Sequence, residues 1–206
     1  MTRTVTLAGF MWITVFCSVA LLAACIERPV AEFQADISTG VAPLTVTFTN
    51  HSTNGEVFTW DLGDGGKAIT TDVSESVTHE YKVSSKYMVI LTASFADGSL
   101  ASKSSTTITV RTGPLADIVL NKTGELRLNS GEEFAFTVRP VDLGGNEVSG
   151  VLVSFESDPS AGVINGAGVF TATTEHGRYT NAIRIIAVKD SRTVSKTVSV
   201  IVESEF

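Results

Sequence analysis

The residues in this 206-residue chain that could do chemistry are few, and most of them sit around one tryptophan. Asp61 and Asp64 flank Gly63 in Trp60-Asp61-Leu62-Gly63-Asp64-Gly65, a turn where carboxylates and carbonyls could converge on a cation such as calcium. Calcium loops supply more oxygens than this turn offers. The aspartates are therefore expected to accept hydrogen bonds from the turn's own N–H groups, with calcium as the weaker reading. His51, His79 and His176 share no metal-ligand spacing, and His79, beside Tyr81, is expected to bond within the fold. The chain has no nucleophile elbow, no His-Glu-x-x-His and no paired cysteine motif. Gly166-Ala167-Gly168 lacks the third glycine of a dinucleotide loop and follows Asn165 in a hairpin signal. A non-enzymatic protein without catalytic residues or cofactor is the expectation.

The elements that must hold these residues are strands. Phe58, Trp60 and Leu62 alternate with Thr59 and Asp61, the period of a ribbon with one buried face. An inward-facing Trp60 anchors a core. Gly63 and Gly65 supply the positive φ that a tight turn after this strand requires. Upstream, Phe33 and Ala35 face one side, Gly40-Val41-Ala42-Pro43 reads as a turn, and Leu44 to Phe48 as a strand. Downstream, a polar stretch through Ser76 precedes a Val77–Tyr81 strand. Lys86 to Phe95 reads as the longest strand of this half, Asp97-Gly98 as a hairpin turn, and Ser105 to Val110 as the closing strand.

Thr112-Gly113-Pro114 interrupts the ladder-forming pattern, and so brief a linker is expected to restrict what it joins. Beyond it, Ala116 to Leu120, Glu125 to Leu128, Phe134 to Val138, Val151 to Phe155, Gly168 to Ala172, Arg178 to Val188 and Thr193 to Val202 read as strands. With 17 Gly, few Pro and many β-branched residues, the composition suits an all-β globular chain. Short strands separated by regular turns predict two tandem Ig-like β-sandwiches. A net charge of −7 and a pI near 4.9 argue against a nucleic-acid partner.

Two resemblances sharpen this picture. Trp60-Asp61-Leu62-Gly63-Asp64-Gly65 resembles the Trp-Asp-Phe-Gly-Asp-Gly signature of polycystic kidney disease (PKD) domains, and Ala42 to Phe48 resembles the strand that precedes it there. His79-Glu80-Tyr81 departs from that family's His-Thr-Tyr only at its middle residue. The resemblance covers residues 31–111 and implies a structural role for Trp60, Asp61, Gly63, Asp64, Gly65, His79 and Tyr81. Residues 115–206 resemble the bacterial Ig-like domains of invasin- and intimin-type proteins, through Ser130-Gly131, Asp142 to Asn146, and Gly162 to Ala172. Both families imply binding or spacing, with an envelope or extracellular protein as the expected partner. A polysaccharide is the alternative, by analogy with PKD domains beside carbohydrate-degrading enzymes.

The first 24 residues form an apolar run with Arg3 as its one charge, ending in Leu22-Ala23-Ala24-Cys25. This ending resembles the lipobox of bacterial lipoproteins. It implies cleavage before Cys25, loss of Cys17 and lipid attachment to the Cys25 thiol. The anchor would then be membrane lipid, and Ile26 after the cysteine favours the outer membrane. An uncleaved membrane-spanning leader is the competing reading. Residues 25–30 leave a tether of at most about 17 Å beyond the cysteine.

Overall fold

The structure, a computed structural model, describes residues 27–72 and 75–204. The leader and Cys25 lie outside them, and no helix among the described residues is long and apolar enough to cross a membrane. The described chain is built from strands alone.

The first eight strands are β1 (Phe33–Ala35), β2 (Thr39–Val41), β3 (Leu44–Asn50), β4 (Val57–Asp61), β5 (Ile69–Thr71), β6 (Val77–Tyr81), β7 (Ser85–Ser94) and β8 (Ala101–Arg111). They form a three-stranded sheet, β1-β3-β6, and a five-stranded one, β2-β8-β7-β4-β5. The alternation decides which face is buried. On β7, Tyr87, Val89, Leu91 and Ala93 are buried while Met88 stays exposed, and Phe58 and Trp60 do the same on β4. Val46 and Phe48 of β3 answer them from the opposite sheet, so one core fills the sandwich.

Trp60, with 0% of its surface exposed, is the centre of that core. Phe33 meets it edge-on at 5.1 Å and 76°, and Phe48 lies 6.0 Å away. Its indole N–H finds no hydrogen-bond partner, which costs about 1–3 kcal/mol. Burying an aromatic of this size contributes up to about 4–6 kcal/mol at ~25 cal/mol per Å², so the ring's apolar area outweighs its orphaned donor.

Three local expectations change. Gly40 and Val41 form part of β2, which pairs parallel with β8 (Gly40 opposite Val110), and only Ala42-Pro43 turns the chain. The polar stretch after Gly66 contains β5, an edge strand whose order comes from pairing Ile69 with Trp60 and Thr71 with Phe58. The strand from Lys86 is not the longest of its half. The tight turn closed by the Gly98 N–H on the Phe95 carbonyl lets the hairpin pair from Ser94–Ala101 to Ser85–Val110, so β8 has 11 residues against 10 in β7.

The remaining strands are β9 (Asp117–Leu120), β10 (Gly124–Asn129), β11 (Glu133–Ala135), β12 (Val138–Val141), β13 (Leu152–Ser157), β14 (Gly162–Ile164), β15 (Val169–Ala172), β16 (Gly177–Lys189) and β17 (Arg192–Glu203). They make the sheets β10-β17-β16-β13, β11-β15-β14 and β12-β9 around a second core centred on Ile118, Phe170, Ile183, Ile185, Val198 and Val200. Strand β17 lies inside its sheet, parallel to β10 and antiparallel to β16. No described strand of β1–β8 pairs with one of β9–β17.

The run Phe134 to Val138, expected as one strand, is two. The chain leaves β15 after Ala135 and joins β9 at Val138. Asn121 makes the break tolerable: its amide donates to the Ala135 carbonyl at 2.9 Å and accepts the Thr137 N–H at 2.9 Å.

Replacing Trp60 with alanine is expected to lower stability of the first sandwich by about 3–5 kcal/mol, read as a drop in urea midpoint by far-UV circular dichroism.

Candidate functional site

The acidic turn and the two residues singled out on the next ladder, His79 and Tyr81, come together at one end of the first sandwich. Strand β4 stops at Asp61, and Gly63 then turns the chain with φ 76°. A β-carbon on Gly63 would stand 2.5 Å from the Met88 carbonyl oxygen of β7, so both backbone conformation and close approach demand glycine. Gly65 also has positive φ, at 79°. Asp61 Oδ1 accepts the Gly63 N–H at 3.0 Å, and Asp64 Oδ1 accepts the Gly66 N–H at 2.9 Å. Each carboxylate thus supports the turn two residues after it.

Strand β6 brings His79 and Tyr81 beside this turn. His79 Nε2 lies 2.9 Å from Asp64 Oδ2, and its ring meets that of Tyr81 edge-on at 4.6 Å. Tyr81 stacks on Tyr87 of β7 at 4.4 Å. The Tyr81 hydroxyl donates to the Leu62 carbonyl inside the turn at 2.9 Å, and the Tyr87 hydroxyl donates to the Val83 carbonyl at 2.6 Å. Gly63, Asp64, Tyr81, Lys82, Val83 and Tyr87 border an open cleft of about 440 Å³.

The electrostatics suit a scaffold. The Gly66 N–H holds the Asp64 carboxyl below the usual carboxylate range, against some burial, and the charge of His79 adds to the effect. Burial, and then the nearby Asp64 charge, push the Tyr81 hydroxyl well above the ordinary phenol range; Tyr87 shifts the same way for the same reasons. Both phenols are therefore neutral donors at physiological pH. Asp64 offers one oxygen to the turn and the other to His79, so a cation would have to displace existing bonds. Among the described residues, no group of three or more His, Cys, Asp or Glu is arranged to hold a metal. His51 and His176 lie apart from this constellation, on exposed positions.

Tyr87 and the Val83 loop were not legible as members of the site. Tyr87 reads as an ordinary inward strand residue, and its bond to Val83 depends on a loop whose path no local pattern gives.

Residues 26–110 match the family model described as PKD domain. The first sandwich is a PKD domain. Among solved structures, this segment is similar to the PKD1 domain of Vibrio cholerae metalloprotease PrtV, at 29% identity over 42% of this chain and 100% of that one, with a TM-score of 0.33. It is also similar to the PKD1 domain of Vibrio anguillarum Epp, at 25% identity over 41% and 95% of the two chains, with a TM-score of 0.32. Both halves together are similar in fold to domains 3–5 of the Drosophila OTK extracellular region, at 9% identity over 84% of this chain and 65% of that one, with a TM-score of 0.50. No curated protein matches the chain.

In this PKD domain, Tyr81→Phe removes the donor to a buried carbonyl. It is expected to cost about 1–3 kcal/mol in the urea midpoint while leaving the native circular dichroism unchanged. The Asp64 pKa is lower folded than unfolded. Its contribution to stability is complete above the unfolded carboxylate value and is lost as pH falls through the folded one. A series of urea midpoints from neutral to strongly acid pH should therefore fall at the acid end, and Asp64→Asn should flatten part of that fall.

Proposed function

We propose that the chain is a non-enzymatic lipoprotein of the bacterial cell envelope, in which a PKD domain and a bacterial Ig-like domain act as a protein-interaction or spacer module. The supporting observation is that the PKD motif's polar atoms are committed to the fold. Asp61 and Asp64 brace the turn, His79 pairs with Asp64, and Tyr81 and Tyr87 donate to backbone carbonyls. Such a constellation holds a shape and leaves recognition to surfaces and edge strands. In this reading residues 1–24 are removed, Cys25 carries the lipid, and Ile26 directs the protein to the outer membrane. Residues 115–206 form the bacterial Ig-like domain, and the partner is an envelope or extracellular protein.

Polysaccharide binding is the less favoured reading. It calls for an exposed aromatic platform, but Tyr81 and Tyr87 are buried and Tyr179 is half-buried, with its hydroxyl on the Glu175 carbonyl.

The reading is tested with the full chain expressed in a bacterial host and fed a radiolabelled fatty acid. The parent should take up label and fractionate with membranes, while Cys25→Ser should take up none and keep its leader. The detergent-extracted parent should copurify with a protein in fixed stoichiometry, or with none if it acts as a spacer. Specific retention on a glycan array would favour the polysaccharide reading instead.

A further inference from the structure

The loop that Tyr87 fixes is gripped from its other side by the second sandwich. Asp142 follows β12 and is only 3% exposed, one of two buried polar or charged residues, with Asn50, among the described residues. Its Oδ2 accepts the N–H of Gly113, in the connection between the sandwiches, at 2.7 Å. Its Oδ1 accepts the N–H groups of Gly144 and Asn146, each at 2.9 Å. Burial pushes the Asp142 carboxyl up, but the N–H groups of Gly113, Asn146 and Gly144 more than offset it and keep it ionised.

Held in this way, Asn146 reaches across to the PKD domain. Its Nδ2 donates to the Lys82 carbonyl at 2.7 Å, and its Oδ1 accepts the Ser84 N–H at 2.8 Å. One side-chain amide therefore pairs with the backbone on both sides of Val83, as a neighbouring strand would. Thr112 Oγ1 adds a bond to Ser84 Oγ at 3.3 Å.

The approach is close enough to constrain the sequence. A β-carbon on Gly144 would stand 2.2 Å from the Lys82 carbonyl oxygen, and one on Gly113 would stand 2.8 Å from that of Ala42. On the receiving side, the Val83 carbonyl is already occupied by Tyr87. The loop is thus held from the PKD side as well as by the second sandwich.

We propose that the Asp142–Asn146 turn is a latch that fixes the second sandwich against the PKD domain, with Lys82–Ser84 as its receptor, so that the pair moves as one stiff body. A three-residue link restricts how far the two halves can move apart but does not by itself fix one angle between them. The inference is independent of lipidation and of what the protein binds.

The test uses the full chain in detergent with Cys17→Ser, Cys25→Ser and Trp12→Phe. Spin labels are placed at Lys103→Cys on β8 and Ser195→Cys on β17, both exposed positions. Dipolar spectroscopy should give one narrow distance peak. Adding Asn146→Ala should broaden it about twofold or more while the Trp60 emission stays that of a buried indole. A broad distribution before the substitution, or an equally narrow one after it, overturns the latch. Should Asn146→Ala fail to fold, hydrogen exchange on the unsubstituted chain decides the matter. The Ser84 and Gly113 amides should exchange about tenfold or more slowly than an open loop, and exchange at the open-loop rate overturns the proposal.

Discussion

An indole buried between two sheets, on a strand that must end one residue later, is the constraint on which the first half of the molecule depends. Trp60 needs Phe33 and Phe48 around it, which fixes β1 and β3 opposite β4. The strand then has to leave the sheet at once, beside the backbone of Met88, where a side chain on residue 63 has no room. The acidic residues of the turn follow from this. They satisfy N–H groups that the departing strand no longer pairs, and one of them ties the turn to β6 through His79. In three dimensions these carboxylates act as a bracket for the turn.

Legibility followed range. Phe58, Trp60 and Leu62 were readable as an inward face because the period of a strand is local, and the glycines of the turn were readable because positive φ is a property of single residues. Strand β5 was not, because its residues are polar and its order comes from pairing with β4. The break after Ala135 was hidden for a similar reason: the side chain that allows it, Asn121, lies in another strand connection. The site was legible as a set of residues, Asp61, Asp64, His79 and Tyr81, yet not as a chain of bonds. Tyr87 joins that set only through its stack on Tyr81 and its hydroxyl on Val83.

The same distinction applies to the junction. Asp142 to Asn146 reads correctly as a turn from sequence, since Asp and Gly at those places announce one. That its last residue reaches Lys82, 64 positions earlier, is a fact of tertiary geometry. From the Leu62 carbonyl through Tyr81 and Tyr87 to Val83, then along the backbone to Ser84 and across to Asn146 and Asp142, polar contacts, one ring stack and one peptide link join the tryptophan turn to the second sandwich. The PKD motif is therefore more than a core anchor. It shapes the surface on which the next module rests.

The placement of β17 has a consequence for how the molecule is made on the ribosome. This strand is the inner partner of both β10 and β16, and it is translated after every other strand of its sheet. The first sandwich has all of its strands once Arg111 has emerged, so it is able to close early, whereas β10 must wait for a neighbour more than 60 residues downstream. Throughout that interval β10 lacks its partner, and the later half is the one more exposed to sticking or to capture by chaperones before its sheet closes.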